Sequence, residues 1–266
     1  MLTLYHNDMS SCSQKVRFML AAKGLEWSGV ELDLREGDQH KPTYLKLNPN
    51  GVVPTLVYND QPIIESSIIC EFLDDLVPEP GYRPRDPLNL ALMRNWIRYI
   101  DDHIHAQLGV ASTALAFRHI LLAKGRDAAL AKINAIPNEA KRARMLSVNF
   151  EGEASPLFRD AIMAFRRMLI LMQDKLATRP WLIGDSMSLA DVVTLPYLVR
   201  LDHLFLSGLW RDLPQVAPWF DRMRAAPEYQ TALVKWFDMP VVAYMQDHGA
   251  AAWPTVEAQI FAGSSG

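Results

Sequence analysis

Ser10, Ser11 and Cys12 stand together where a short strand-like run, Leu2-Thr3-Leu4-Tyr5-His6, gives way to an amphipathic stretch from Val16 to Lys23. Three small nucleophilic side chains are thereby placed at a helix N-terminus. Unpaired backbone N–H groups and the positive end of the helix dipole favour an anion there, such as a thiolate. Either Cys12 is that thiolate, or the hydroxyls of Ser10 and Ser11 hold one that a bound molecule supplies. Serines before a helix also serve simply as caps, so these three residues need support from elsewhere in the chain.

Two further segments supply it. Asn48-Pro49-Asn50-Gly51-Val52-Val53-Pro54 ends in a proline just before a strand. A cis Val53-Pro54 bond there would turn the preceding backbone away from the sheet and towards a ligand, although only about 5–6% of X-Pro bonds in folded proteins are cis. Glu65-Ser66-Ser67 then opens the next helix. Its N–H groups and hydroxyls suit a carboxylate, and Glu65 accepts from an ammonium group, so this end of a pocket fits an amino acid held by both its charges.

Other chemistry-bearing residues read more plainly. Lys15 stands at the third position after Cys12, so there is no Cys-x-x-Cys pair. His103 and His105 are two apart on a predicted helix and face different directions, which argues against a metal site. Met163, Met168 and Met172 read as core filler, and Cys70, within an apolar run, as buried and inert.

The elements that must position these residues fall into two groups. Strand 2–6, helix 12–23, strand 29–34, a polar stretch 35–47, strands near 55–58 and 62–64, and helix 66–76 alternate in the order of a small α/β domain. The hairpin turns at Asn59-Asp60-Gln61. Residues 78–87 contain four prolines and form a linker. Beyond it Leu92, Trp96, Ile100, Ile104 and Leu108 recur at every fourth position and predict a long helix. Short helices broken at Gly125, Pro137 and Gly152 follow, then a helix from Pro156 to Leu176. Ser188 and Asp191 have capping-box spacing ahead of an apolar run at 192–206, and helices near 214–226 and 228–237 finish an all-α second domain. The expected organisation is a thioredoxin-like domain at 1–78, a linker at 79–87, a helical domain at 88–245 and a partly flexible tail at 246–266.

Bulk properties restrict the partners. Of the 266 residues half are hydrophobic and 21% charged, with a net charge of −3, which implies no nucleic-acid partner. The most apolar windows, such as Met163 to Met172, are interrupted by Arg166 and Arg167 and fall short of the roughly 20 residues that span a bilayer. The two cysteines lie far apart and no charged, apolar leader precedes them, which fits a reducing cytoplasm. The small-residue tail from Ala262 to Gly266 carries no functional signal.

Taken in order, the serine loop, the Asn-Pro-x-Gly-x-Val-Pro element, Glu65-Ser66, the proline-rich linker and the Ser-Leu-Ala-Asp cap resemble the soluble glutathione transferases over nearly the whole chain. The resemblance implies an α/β thioredoxin-like N-terminal domain, an all-α C-terminal domain, glutathione as cosubstrate and a homodimer. It implies that Val53, ahead of Pro54, offers its backbone to the cysteinyl part of glutathione and that Glu65 and Ser66 hold the γ-glutamyl end. Gln39, His40 or Lys41 would meet the glycine carboxylate. Ser10 matches the thiol-activating serine of the theta- and zeta-like branches, with Ser11 and Cys12 behind it. A monothiol mechanism through Cys12 and a mixed disulfide with glutathione is the competing use of the same loop.

A free thiol with a pKa of about 8.5 is roughly 3% ionised at neutral pH, and lowering that pKa by about two units gives some 25-fold more thiolate. Most of the gain is offset by lost nucleophilicity, whose Brønsted slope is about 0.4–0.5. Placement of the electrophile therefore matters more for rate. Ser10-Ser11-Cys12-Ser13 with Lys15-Val16-Arg17 is similar to the zeta class, which isomerises maleylacetoacetate or dehalogenates small acids. A longer resemblance runs through Gln39-His40, residues 65–73, 83–87 and 93–96, and Ser112-Thr113-Ala114-Leu115-Ala116-Phe117. It is similar to the bacterial glutathione-dependent β-etherases of lignin-fragment breakdown. In that case Met9, Trp96, Tyr99, His103 and Phe117 would wall the aryl group, with a place in the helical core the equal alternative for Trp96.

Overall fold

The computed structural model describes residues 1–136 and 138–261. The helix break expected at Pro137 and the tail 262–266 lie outside them. The chain forms two compact units, the first comprising Met1–Ile97, Thr178–Pro196 and Pro218–Asp238, the second Arg98–Ala177, Tyr197–Ala217 and the chain from Met239.

In the first unit, strands β1 (Leu2–His6), β2 (Ser28–Glu31), β3 (Thr55–Tyr58) and β4 (Gln61–Ile63) form one sheet in the order β2-β1-β3-β4. β1 runs parallel to β2, with Leu4 opposite Gly29, and antiparallel to β3, with Leu4 opposite Leu56. The β3–β4 hairpin closes through Asn59 and Asp60, both at positive φ, as a two-residue turn with the right-handed strand twist requires. Helices α1 (Ser11–Ala22), α2 (Pro42–Leu45) and α3 (Ser66–Leu76) complete the expected α/β arrangement. Leu4 and Leu56 are buried with Val16, Phe18 and Leu20 of α1 and Ile69, Cys70 and Leu73 of α3. Every α1 residue from Ser13 to Leu20 is buried, so this helix is covered on more than one side. The proline-rich stretch is not loose: Asp74 receives the ammonium of Lys23 at 2.6 Å, Nε of Arg83 at 2.8 Å and the backbone N–H of Tyr82 at 2.9 Å.

From Pro87 onward the chain is helical: α4 (Pro87–Tyr99), α5 (His105–Ser112), α6 (Arg118–Leu122), α7 (Arg126–Asn134), α8 (Glu139–Phe150), α9 (Pro156–Leu176), α10 (Leu189–His203), α11 (Val216–Ala225), α12 (Pro227–Ala232) and α13 (Met239–Phe261). The long helix expected around Trp96 is present but winds through two π-helical segments, Ile100–Ile104 and Thr113–Phe117. Met163, expected in the core, is exposed, whereas Met168 and Met172 are buried. The cap of α10 is as expected. The Asp191 carboxylate accepts from Ser188 N–H at 2.9 Å, Leu182 N–H at 2.9 Å and the Trp219 indole at 2.8 Å.

The helices do not finish near residue 237, and a helix continues through residues 246–261. α13 is 23 residues long. Packing within the second unit explains it. A Cβ at Gly249 would lie 1.8 Å from the Leu204 carbonyl oxygen, so only glycine permits that approach. At the other end Phe261 meets the guanidinium groups of Arg211 at 4.1 Å and Arg166 at 5.4 Å, and Arg211 also pairs with Glu257. No single helix among the described residues is long and apolar enough to cross a membrane.

Candidate functional site

The loop from Asn7 to Ser10 links β1 to α1. Ser10 is extended at the N-cap, where its hydroxyl oxygen accepts from Ser13 N–H at 3.3 Å. That contact uses a lone pair and leaves the O–H proton to donate elsewhere. No acidic side chain lies in the first turn of α1, so nothing there competes with a bound anion. Ser10 and Cys12 are half-buried and Ser11 is buried. The loop is cross-braced: the Ser13 hydroxyl accepts from Asn7 N–H at 3.3 Å, Asn7 Nδ2 donates to the Leu32 carbonyl at 3.1 Å, and Asn7 Oδ1 accepts from Met9 N–H at 3.2 Å.

Beneath the loop lies a residue that the sequence reading quoted without giving it a role. Arg17 donates from Nη1 to the Asn7 carbonyl at 2.9 Å, from Nη2 to the Asp8 carbonyl at 2.7 Å and from Nε to the Ala232 carbonyl at 2.8 Å. Burial pulls its guanidinium down to about 9, against the opposing pull of Asp8 and Glu31, which leaves it charged at neutral pH. Nη1 is also 3.3 Å from His6 Nδ1, so that nitrogen accepts and the ring proton resides on Nε2. Burial, then the nearby Arg17 charge, pushes His6 down to about 4. Trp27 and Trp236 meet the His6 ring edge-on, at 5.4 and 4.8 Å. The one sequence signal for Arg17 was a charge inside the apolar run Val16-Arg17-Phe18-Met19-Leu20.

The second wall comes from residues 48–54. Asn48 Nδ2 donates to the Val52 carbonyl at 2.9 Å and Thr55 Oγ1 at 3.2 Å, and its Oδ1 accepts from Asn50 N–H at 3.1 Å. The Val53-Pro54 bond is cis. Gly51 has φ +61°, and a Cβ on it would stand 2.8 Å from His40 Nδ1. Asn50 Nδ2 reaches Glu65 Oε1 at 3.4 Å. Glu65 itself has φ +68°, a conformation unusual for a residue with a side chain and one that gathers at functional sites. It precedes α3, whose first residues, Ser66 and Ser67, are buried.

The three candidates for a carboxylate at the far end separate in space. His40 lies against Gly51, beside Asn50 and thence Glu65. Gln39 is half-buried, with Nε2 3.4 Å from the Leu34 carbonyl. Lys41 is drawn instead to Asp38 at 2.6 Å; that hydrogen bond raises the lysine and lowers the aspartate. Lys41 and Asp38 line a cleft of about 280 Å³ with Tyr5, Val30, Leu32 and Tyr44.

The residues expected to wall an aryl group do not all behave as a wall. Trp96 is a core side chain, 4% exposed, whose indole N–H donates to Thr194 Oγ1 at 2.8 Å, so packing, not ligand contact, accounts for it. Met9 is buried beside Ser10. Tyr99 is half-buried and His103 exposed, with their rings 5.7 Å apart; burial raises the Tyr99 phenol, against the lowering effect of Arg167. Phe117 is half-buried 6.0 Å from the Arg200 guanidinium. Tyr99 adjoins the first π-helical segment and Phe117 ends the second, and such segments recur at functional sites. His105 turns away from His103 and meets Tyr197 OH at 3.2 Å.

Comparison with known proteins accords with this geometry. Residues 9–76 match the family described as "Glutathione S-transferase, N-terminal domain", and residues 139–222 match "Glutathione S-transferase, C-terminal domain". Glutathione S-transferase Z1 of Arabidopsis thaliana is 44% identical over 232 residues, 87% of this chain and 91% of that protein. Protein LigF of Sphingobium sp. strain SYK-6 is 28% identical over 238 residues, 85% of this chain and 90% of its own. The crystal structure of that β-etherase superposes with a TM-score of 0.76 at 25% identity, covering 88% of this chain and 99% of LigF. Maleylacetoacetate isomerase of Pseudomonas aeruginosa is 27% identical over 235 residues, 87% of this chain and 95% of that protein. A helix N-terminus dressed with serines, an outlying Glu-Ser pair and a cis-proline loop thus coincide with matches over both halves, and the chain belongs to the glutathione S-transferase family.

Proposed function

We propose that the protein is a glutathione transferase that cleaves β-aryl ethers of the lignin-derived type. The observation that carries the thiol chemistry is Ser10, whose hydroxyl accepts within the helix cap and keeps its proton for an incoming sulfur. Glutathione would lie with its γ-glutamyl end at Glu65-Ser66, its cysteinyl part along Val53 ahead of Pro54, and its glycine carboxylate towards Gln39 and His40, with Lys41 committed to Asp38. Residues 1–78 are the glutathione-binding part in this reading. The thiolate attacks the carbon that bears the aryl ether, beside a ketone. The new C–S bond forms as the C–O bond breaks, the bonding pair leaves with the phenolate, and a glutathione thioether remains. Tyr99, His103 and Phe117 would face the aryl groups. The likeness to LigF over most of both chains supports the substrate class. The family's usual setting supports a cytoplasmic homodimer.

A second reading is favoured by two matches, the 44% identity to glutathione S-transferase Z1 of a plant and the likeness to a bacterial maleylacetoacetate isomerase. In that reading the same serine loop serves a glutathione-dependent isomerase or dehalogenase of small acids. A non-catalytic ligand carrier is disfavoured by the intact loop and Glu-Ser pair.

Incubation with glutathione and a fluorogenic β-aryl ether separates these readings. Phenol release that needs glutathione is the expected result; turnover of maleylacetone alone moves the assignment to the isomerase, and failure to bind glutathione refutes both. Ser10→Ala should lower kcat by about 100-fold, the scale for losing one donor to a developing or stabilised anion. Cys12→Ala should retain activity, and its complete loss of activity would transfer the nucleophile to Cys12.

A further inference from the structure

A guanidinium under the core of a small domain needs partners for its donors, and the usual partner is a carboxylate. Arg17 is 1% exposed, and its fork ends on three main-chain carbonyls, Asn7, Asp8 and Ala232, at 2.7–2.9 Å, with His6 Nδ1 a fourth, longer partner at 3.3 Å. A carboxylate would satisfy the charge and leave the backbone where it was. Carbonyl partners instead fix three backbone positions relative to one rigid plane. Two of them immediately precede Met9 and Ser10, and Arg17 and the Ser10 cap belong to the same helix, so the path from residue 7 to residue 10 is held at both ends by α1. The third partner lies 215 residues away in sequence, at the end of α12. The short 3-10 turn Val234–Trp236 follows it, and the Trp236 ring lies 5.0 Å from the guanidinium and 4.8 Å from His6. α1 packs directly against α12, so the strap 227–236 lies against the helix that carries Arg17.

We propose that Arg17 is the positioning residue of the serine loop and that the strap 227–236 completes it, so that Trp236 governs how Ser10 is presented to a bound thiol without touching that thiol. The inference rests on the reading of Ser10 as the thiol-activating group. Its mechanical part, the fixing of residues 7–13, does not.

The test uses Trp236→Leu, Trp236→Phe and Arg17→Lys in the full-length chain, with two readouts. Amide hydrogen exchange without any ligand reports the loop. The ultraviolet absorbance of the bound glutathione thiolate, followed against pH, reports its activation. Trp236→Leu should speed exchange at Met9–Ser13 by about tenfold while α3 exchanges as before, because local opening is set by local contacts. It should also raise the thiol midpoint by about one pH unit as the hydroxyl is misplaced. Trp236→Phe, which keeps a ring over the cation, should restore both. Arg17→Lys replaces a planar fork with a point charge and should shift both readouts further in the same direction. If it does not fold, the Trp236 pair decides. Wild-type exchange and midpoint in Trp236→Leu would overturn the proposal, as would faster exchange spread evenly over α3 and the loop. Should the wild-type protein bind no glutathione, the functional reading falls, and the exchange data alone still decide whether Arg17 and its strap position the loop.

Discussion

Residues 6–17 with 48–66 are, in the proposed function, the glutathione side, and the rings of Tyr99, His103 and Phe117 the proposed aryl side, and the two sets are built on different principles. In the first, polar groups end on particular backbone atoms: Arg17 on Asn7 and Asp8, Asn48 on Val52, Ser10 on Ser13. In the second, rings meet at 5.7 Å in Tyr99 and His103, Phe117 meets a cation at 6.0 Å, and the backbone is wound into π segments. A tripeptide with fixed charges and amides rewards directional bonds, because a misplaced partner leaves a buried polar group unmet. An aryl group rewards only shape and apolar area, which many side chains provide. The difference teaches that the first region is specified atom by atom, whereas the rings of Tyr99, His103 and Phe117 are specified by volume, even though Arg118 beside them donates to the Asn149 and Phe150 carbonyls.

The largest expected effect is acid sensitivity, which tells a shared stability term from one tied to the loop. His6 in the first unit and His203 in the second are buried and pushed down to about 4, by burial first and then by Arg17 and Arg200 respectively. Their folded pKa lies below the ordinary value near 6.5, so the unfolded chain binds more protons between those pH values. Stability is therefore complete above about pH 6.5 and is lost as pH falls towards 4, by about 3 kcal/mol for each residue. Urea unfolding across that range should show it. His6→Gln and His203→Gln should each lower the slope by about 1.4 kcal/mol per pH unit. Only His6→Gln should also alter hydrogen exchange in the serine loop; equal effects from both variants would erase the contrast.

Gly51 gives a smaller, more local test of the first region. Its φ of +61° disfavours any side chain, and a Cβ would press on His40 Nδ1. Gly51→Ala should cost about 1–2 kcal/mol in stability. It should raise the KM for glutathione about tenfold with little change in kcat, the pattern of lost ground-state binding. An unchanged KM would mean that the His40 side of the loop does not meet glutathione.

The same contrast explains what was legible in the sequence. Strand period, the Asn59-Asp60 turn and the Ser188–Asp191 cap are local signals, and the sheet, hairpin and α10 follow them. The serine loop, Val53-Pro54 and Glu65-Ser66 are likewise short segments whose residue types carry their chemistry. Arg17 was invisible as a positioning residue because its third partner, Ala232, is distant in sequence. α13 lies beyond the last helix expected, and what holds it is distant in sequence: the close approach of Leu204 makes Gly249 a packing residue. Trp96 was ambiguous because helix spacing cannot tell a side chain that meets a ligand from one that meets Thr194.

The smallest effect on glutathione is expected from the second region, and its smallness is the point. Phe117 ends a π-helical segment against which α13 packs, and its half-buried ring makes no directional bond. Phe117→Leu keeps an apolar side chain but changes its shape, so stability should fall by about 1 kcal/mol. Steady-state kinetics should find the KM for glutathione within about twofold of wild type, since no bond to the tripeptide is lost. The ratio of kcat/KM between a β-aryl ether with a bulky aryl group and one with a small aryl group should move by about tenfold, the scale of a change of one or two carbons in an apolar pocket. If the glutathione KM moved as much as that ratio, the two regions would not be separable by principle, and Phe117 would belong with the atom-by-atom half of the molecule.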